Sequence, residues 1–414
     1  MQGLFNLYLT LYGWESPERI KNARAPAKTY LPQAGFSVLL PVYHEEAVIG
    51  ETLRKLNELR YPKKLIELIV IARSHDTETI KAVKESVIKN NIKQAKLLIY
   101  EGDTPGKPPQ LNAGLKAARK NIITIFDAED DVSPDLFMTI NTIFIKHKPD
   151  IIQSGVQLMD YNAHWYSLLN VLEYFFWFRS SMHFFARIGA MPLGGNTVFF
   201  KRRQLNKVGG WDESLLTEDA DIGIRLSARD KKTHVLYDSS LVTKEETPPT
   251  TMEFVKQRTR WVQGFLQIIK KGEWKNLPRD AQMKLILYVL GAPVFQAFVI
   301  TLTPILIALG YFIDAPTYIS LLSFSPLAIL VSLFGAQLVG LHEFSKEQKL
   351  DIKWWWYIYL IVSFPPYQIL LGISSARATL RHFQGSINWE KTKHTGGHRQ
   401  KTSSPAIKAG IEPA

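Results

Sequence analysis

The chain has 414 residues, 46 % of them hydrophobic and 12 % aromatic, which excludes a mainly disordered polypeptide and suggests two or three structural units. It has no cysteine, which excludes a disulfide scaffold, a thiol nucleophile and a cysteine-held zinc or iron–sulfur site. A formal net charge of +12 favours anionic partners: acidic headgroups, phosphorylated substrates or nucleic acid.

In chain order, Met1–Gly13 is apolar but too short to span a bilayer, and it lacks the basic start and cleavage site of a signal peptide. A short interfacial helix is expected there, within an N-terminal segment 1–34. From 35 to 283 the pattern is one of alternating strands and helices. Strands are expected at 36–43, 65–73, 95–100 and 121–130, with helices at 45–59 and 77–90. This alternation predicts βαβ units and an α/β domain with a mostly parallel sheet, which binds ligands at the carboxyl ends of its strands. The aromatic stretch Trp165–Ile188 is interrupted by Glu173, Arg179 and Arg187. It reads as an amphipathic helix pair on a membrane surface, about 163–190, with core helices as the alternative; 251–275 is a further interfacial helix.

Residues 285–313, 315–341 and 354–376 contain no charged side chain. Each run is long enough to span, and together they define a transmembrane region at 284–376, with spans about 285–313, 318–341 and 354–376. Lysine and arginine flank these runs, which disfavours a nucleic-acid binder and puts the domain, the second loop and the basic tail 377–414 on the cytoplasmic side. Three full spans cannot put both domain and tail inside. Either the third run is re-entrant around Pro365-Pro366, or another segment inserts, or the charge rule fails. The tail after Lys393 reads as disordered.

Four acidic or basic groups stand out. Asp76 follows the second strand, where a carboxylate can hold a nucleobase or ribose, or simply cap the next helix. Asp127-Ala128-Glu129-Asp130 ends a strand; such hard oxygen ligands suit Mg²⁺ or Mn²⁺, and a solvated acidic turn is the alternative. Thr217-Glu218-Asp219-Ala220-Asp221 opens a helix, either as capping charge or with a general base. Gln257-Arg258-Thr259-Arg260-Trp261 precedes the apolar region. It offers two cations for a diphosphate and a flat face for a sugar ring, or else a juxtamembrane anchor.

In this order the motifs resemble the membrane-bound family 2 glycosyltransferases, which include the synthases of cellulose, hyaluronan and related β-linked polysaccharides. The resemblance runs from about Phe36 to about Gly264 and continues into the apolar region. It also rests on PVYHEEAVI, on GKPPQLNAGL at 106–115, on GGNTVFFKRRQLNKVGGWDE and on Trp389-Glu390-Lys391-Thr392-Lys393-His394. There are two departures. His75-Asp76 stands for an acidic pair, and Asp127-Ala128-Glu129 for Asp-x-Asp. The resemblance implies a Rossmann-like GT-A domain on the cytoplasmic face of the cell membrane. It implies an inverting transfer from a UDP-linked sugar to a growing β-linked polysaccharide. Asp76 would hold the uridine, Lys107 a phosphate, and Asp127, Glu129 and Asp130 the cation. Asp219 would be the base, with Glu218, Gln257, Arg258, Arg260 and Trp261 contacting substrate. Two other functions compete: transfer of one sugar to a membrane lipid such as a polyprenyl phosphate or diacylglycerol, and a non-catalytic sensor or scaffold. Two or three helices make a narrow channel, which a homo-oligomer would widen.

Overall fold

Strands buried on both faces are apolar at nearly every position, and the first half of the chain supplies several. The computed structural model describes residues 2–312, 317, 325–386, 389–392 and 394–400. Helices α1 (Gln2–Glu15) and α2 (Pro17–Asn22) precede β1 (Phe36–Val42), α3 (Ile49–Asn57), β2 (Ile66–Arg73), α4 (Thr77–Lys89), β3 (Ala95–Tyr100), α5 (Pro108–Ala117) and β4 (Ile122–Ile125). These four strands are parallel, with Phe36 opposite both Ile66 and Ile122. Leu39, Ile69 and Ile125 pack into one apolar layer, and Val38, Leu40 and Val70 into the layer on the other face.

The chain continues through α6 (Leu136–His147), β5 (Ile151–Ser154), β6 (Val156–Leu158), α7 (Ser167–Phe176), α8 (Met182–Ile188), β7 (Val198–Lys201), α9 (Arg202–Val208), α10 (Glu218–Ser227), β8 (Thr233–Leu236) and β9 (Thr243–Glu245). The sheet order is β3-β2-β1-β4-β7-β5-β8, with β7 antiparallel to both neighbours and β6 paired separately with β9. β1 has β2 on one side and β4 on the other, so the chain reverses direction of winding there. The carboxyl ends at that switch form a crevice.

Two local expectations shift. The strand expected over 121–130 ends at Ile125, because Asp127 to Asp130 close a turn in which Asp130 N–H donates to the Asp127 carbonyl at 3.2 Å. The helix expected from 45 starts at Ile49, after a turn that leaves Glu45 at the crevice.

The aromatic stretch is a core element. α7 and α8 are joined by one π-helical turn, Trp177–Ser181, and Leu168, Leu172, Phe175, Met182 and Phe185 are buried. The apolar side chains expected to face lipid face the protein. Arg179, one of the interrupting charges, bridges Glu343 at 3.3 Å and Glu347 at 2.8 Å and stands over Trp14.

Beyond β9 the chain is helical: α11 (Thr251–Lys271), α12 (Asp280–Phe312), α13 (Ser325–Glu347), α14 (Trp355–Phe383) and the short α15 (Gly397–Gln400). Two segments, Asp280–Leu306 and Trp355–Phe383, are long and apolar enough to cross a membrane. The beginning of the second expected span lies outside the described residues. α12 starts packed, with Ile286 and Leu290 buried, and ends with Leu309 and Phe312 exposed. α13 ends back at the α/β domain, through Glu343 and Glu347.

α14 is continuous through Pro365-Pro366, so the expected break does not occur. The helix touches the α/β domain along its whole length. Near its start Trp356 packs on Tyr161 at 5.5 Å, and Tyr359 donates to the Trp165 carbonyl at 3.0 Å. Farther on, Tyr367 lies 5.5 Å from Phe254 of α11, and Thr259 donates to the Ser374 carbonyl at 3.3 Å. Past its end, Gln263 donates to the Ser386 carbonyl. Ile358, Ile361, Val362, Ile369, Ile373 and Leu380 form an exposed stripe at helical spacing on its outer side. The tail then folds back. Residues 389–392 and 394–400 lie on the α/β domain, so the expected disorder after Lys393 does not apply as far as Arg399, and the rest lies outside the described residues.

α11 approaches the start of α10 so closely that a Cβ on Gly264 would lie 2.3 Å from Thr217 Oγ1 and 2.6 Å from its Cγ2. Threonine is stiff at χ1 and cannot swing clear cheaply. Gly264→Ala is expected to lower stability by about 1–3 kcal/mol, the usual cost of overpacking, read as a drop in thermal midpoint of the purified protein.

Candidate active site

The carboxyl ends of β1 and β4 open onto a cavity of about 910 Å³. It runs past the first turn of α10 and along α11, then continues between α1, α12, α13 and α14. All but two of the residues selected from the sequence line it; the exceptions are Asp76 and Asp130.

Asp76 caps α4. Its Oδ1 accepts from Thr79 N–H at 3.4 Å and its Oδ2 from His44 N–H at 2.6 Å, and it is 2 % exposed. The strand-end position expected of it is met, but both oxygens already have backbone donors. Asp130 is turned into the protein, where Oδ2 accepts from Asp127 N–H at 2.8 Å and Asn196 Nδ2 donates at 3.0 Å and 3.1 Å to its two oxygens. Burial, reinforced by Glu245, pushes its carboxyl well above the usual range. Asp130 therefore stitches the turn together and offers no oxygen to the cavity, unlike Asp127 and Glu129.

Lys107 is aimed by a tight turn. Gly106 has φ +104, a conformation that favours glycine, and Pro108 opens α5 directly after the lysine. Lys107 Nζ donates to Asp127 Oδ1 at 2.5 Å and to the Gly195 carbonyl at 3.1 Å. Burial alone would lower its pKa, but Asp127 and Glu218 outweigh burial and hold it above the ordinary value. Glu129 pairs with His394 Nδ1. Burial opposes ionisation of Glu129, and the imidazole beside it reverses the balance and lowers its pKa.

Glu218 and Asp219 form the first turn of α10. A helix start favours carboxylates, yet here burial dominates. It pushes Glu218 up to about 7, with Asp219 adding to the effect, and raises Asp219 as well. Asp219 Oδ1 accepts from Ala220 N–H at 2.8 Å. Asp221 points elsewhere. It is fully buried, 2.7 Å from Arg225 Nε and 2.8 Å from Lys271 Nζ.

On α11, Arg260 faces Glu218, Asp127 and Asp219, and donates to the Glu390 carbonyl at 3.0 Å. Arg258 is committed to the protein instead. It donates to Asn170 Oδ1 at 2.5 Å, pairs with Glu173, and stands 4.5 Å over the Trp261 ring. Gln257 Oε1 is buried and unpartnered among the described residues.

Several residues were not singled out from the sequence. Glu45 lies in the quoted PVYHEEAVI, and Lys391 and His394 in the quoted Trp389–His394 segment, but nothing in their spacing says that the two segments meet. Lys391 Nζ lies 2.8 Å from Glu45 Oε1 and donates to the His44 carbonyl at 2.8 Å. Burial pushes Glu45 up to about 7 and, with Glu129, Glu245 up to about 8. Glu45, Glu129 and His394 each offer a ligand atom, all within 4.8 Å of one another. Two carboxylate oxygens and an imidazole nitrogen are a donor set that fits a divalent cation.

Comparison with known proteins gives a consistent result. The model of a family described as glycosyltransferase like family 2 matches residues 32–264. Among curated relatives, a probable glycosyltransferase, YdaM of Bacillus subtilis, is 22 % identical over 96 % of this chain and 94 % of its own. A β-monoglucosyldiacylglycerol synthase of Nostoc is 25 % identical over 87 % of this chain and 76 % of its own. A poly-β-1,6-N-acetyl-D-glucosamine synthase of Staphylococcus epidermidis is 25 % identical over 62 % of this chain and 60 % of its own. Among solved structures, a mannosyltransferase of Pyrobaculum calidifontis, determined with GDP-mannose and Mn²⁺, shares the fold at a TM-score of 0.56 and 17 % identity, covering 93 % of this chain and 99 % of its own.

The placement of Asp221 separates two acids of one motif. Asp221→Ala leaves Arg225 with only the Val208 and Gly210 carbonyls and Lys271 with Asp212 alone, and breaking a buried pair costs up to about 3–5 kcal/mol. A large loss of thermal stability is expected, read as a drop in thermal midpoint. A variant as stable as the native protein would mean that Asp221 does not brace the start of α10.

Proposed function

Because the chain belongs to the glycosyltransferase family 2, we propose that it transfers a sugar from a UDP-linked donor, with inversion, to a growing β-linked glycan at a membrane surface. The observation that carries this reading is the convergence of three groups on one cavity: the strand-end acids, the buried acids that open α10, and the arginine and tryptophan of α11.

In this reading Asp219 accepts the proton of the acceptor hydroxyl. The hydroxyl oxygen bonds to the anomeric carbon from the face opposite the nucleotide, the bond from that carbon to the diphosphate oxygen breaks, and UDP departs. Burial raises Asp219 and so makes it a stronger base than an exposed aspartate. Mg²⁺ or Mn²⁺, held by Asp127 and Glu129, supplies charge neutralisation for the diphosphate when bound. Lys107 and Arg260 add fixed positive charge from the side of α5 and α11, which is favourable as the leaving group develops charge. Asp76, whose two oxygens are taken by the Thr79 and His44 N–H groups outside the cavity lining, is left as the cap of α4 and not as a nucleoside contact. Trp261, backed on one face by Arg258, presents its ring to the acceptor sugar, and the Gln257 carbonyl can accept from a sugar hydroxyl.

The far end of the cavity supports a glycan acceptor. Gln296, Gln337 and Gln368 line it from three apolar helices. Gln296 Nε2 donates to Gln368 Oε1 at 2.5 Å, and Gln337 Oε1 has no partner among the described residues. Carboxamides among apolar helices are costly unless something polar satisfies them, and sugar hydroxyls would. Transfer of a single sugar to a lipid is the second reading, favoured by Val289, Leu333 and Leu371 on the same walls. Incubating membranes with a panel of radiolabelled nucleotide sugars and separating polymeric from lipid-soluble product distinguishes the two. Label only in the lipid fraction would reject the glycan reading.

Asp219→Asn is expected to cut transfer by about 10²–10⁴ while leaving UDP affinity in place, because asparagine keeps the shape but cannot take the proton. In the native protein, transfer should fall as pH drops through the raised Asp219 pKa, since the protonated acid is no base. Near-normal transfer by Asp219→Asn would move the role to Glu218.

The membrane disposition follows from α14. Although α14 has the length of a span, contacts at both ends tie it to the α/β domain, and its outer stripe is apolar. In this reading α12 and α13 enter the bilayer and α14 lies in its plane, which puts domain and tail on one side as the charges require. The absence of native cysteine makes this measurable. Spin labels at Ile358→Cys, Ile369→Cys and Leu380→Cys in reconstituted protein should report the same shallow depth. A maximum at Ile369 would mean that α14 crosses.

A further inference from the structure

The transferase reading gives Lys107 a phosphate but does not say what holds the loop behind it. Between β3 and α5, residues 101–106 form neither helix nor strand, and Glu101, Asp103, Thr104 and Pro105 are exposed. Gly106 ends this loop at φ +104, and a glycine leaves the peptide plane that leads into Lys107 free to turn. After the lysine the chain is secured. Gln110 Nε2 donates to the Val42 carbonyl at 3.0 Å and to the Ile71 carbonyl at 2.6 Å, which ties α5 to the ends of β1 and β2. Before the lysine, the hydrogen bonds that fix the loop among the described residues come from one side chain. Arg73 Nη2 donates to the Thr104 carbonyl at 2.7 Å and to the Gly106 carbonyl at 3.0 Å.

Arg73 is the last residue of β2 and is 4 % exposed. Its Cζ stands 5.2 Å from the centroid of the Tyr43 ring and 6.0 Å from that of Tyr100. Among the described residues no carboxylate pairs with it, and its Nε is buried without a partner. A buried cation held only by carbonyls and ring faces is costly, because nothing nearby offsets its full charge. The fold gains a strut. A planar guanidinium lies flat against rings and still extends a nitrogen to two acceptors, which the shorter lysine side chain does only in part. The loop closes over one of the same rings, so that a Cβ on Gly102 would lie 2.5 Å from Tyr100 Cζ. Tyr43 and the residues from Thr104 to Lys107 line the cavity, whereas Arg73 stands behind them.

We infer that Arg73 is a positioning residue for the donor: it fixes the peptide between Gly106 and Lys107 and so holds the Lys107 ammonium where the diphosphate binds. This rests on the reading of Lys107 as a phosphate contact. Because Arg73 acts through Lys107, its loss weakens donor binding and leaves the acceptor end of the cavity unaffected.

The test is a double-mutant cycle on the purified full chain, with UDP as the probe in calorimetric titration. Arg73→Met keeps the apolar contacts with Tyr43 and Tyr100 but has no donor. It should weaken UDP binding about tenfold, and Lys107→Met should weaken it by as much or more. The two together should bind UDP no more weakly than Lys107→Met alone. In transfer assays Arg73→Met should raise the KM for the nucleotide sugar and not that for the acceptor, and Arg73→Lys should recover part of the loss. Additive losses in the cycle, native UDP affinity in Arg73→Met, or an equal rise in both KM values would overturn the positioning role. If Arg73→Met does not fold, Arg73→Lys takes its place in the cycle under the same criteria. Native UDP affinity in Lys107→Met would remove the phosphate reading of Lys107 and the inference with it, whereas additivity removes the inference alone.

Discussion

Carboxylates crowd the carboxyl ends of β1 and β4, and much of the surrounding structure serves to make that tolerable. Removing several like charges from water in one place is unfavourable unless each gains a partner or gives up its charge. Both outcomes occur. Asp127 has Lys107, Glu129 has His394 and Glu45 has Lys391, whereas burial raises Asp130 and Glu245 towards the neutral form. The partners come from two distant stretches of chain. The cost of the acid cluster is thus what ties the loop before α5 and the segment after α14 to the end of the sheet.

α11 relates this cluster to the apolar helices. Roughly opposite sides of it carry Arg260 towards the acids and Arg258 towards Glu173, and it also lies against α14. Its close approach at Gly264 brings the acid turn of α10 against the same helix. A movement of α11 would therefore alter the acids, the tryptophan and the seating of α14 together. This coupling gives a physical reason for a basic-aromatic motif to sit immediately before the apolar region, beyond anchoring at an interface.

The division of labour between neighbouring acids is equally instructive. Asp127, Glu129 and Asp130 are adjacent in sequence and of one chemical type, yet the turn aims two of them at the cavity and one inward. Glu218, Asp219 and Asp221 divide in the same way, because a helix turns successive side chains by about 100° and only part of its circumference faces the cavity. In each motif the inward acid has found buried partners: Asn196 for Asp130, Arg225 and Lys271 for Asp221. The short motifs are thus part site and part scaffold.

What the sequence determined by itself was local and periodic. Runs of aliphatic residues marked β1 to β4, alternation with amphipathic helices marked the α/β class, and the order of Asp76, Asp127, Asp219 and the Gln-x-x-Arg-Trp run pointed to the family. Those features are legible because backbone hydrogen bonding and side-chain periodicity act within a few residues. Tertiary structure decided the rest. Which acids face inward, that Arg258 is spent on Glu173, that the aromatic stretch at α7 and α8 is core, and that α14 lies along the domain all depend on partners from other elements: Asn196 for Asp130, Lys271 for Asp221, Glu343 and Glu347 for Arg179, and Tyr161 and Phe254 for α14. The docking of His394 on Glu129 spans 265 positions. No spacing rule encodes such a contact, because its free energy comes from a charge balance that exists only once the sheet has gathered the acids in one place.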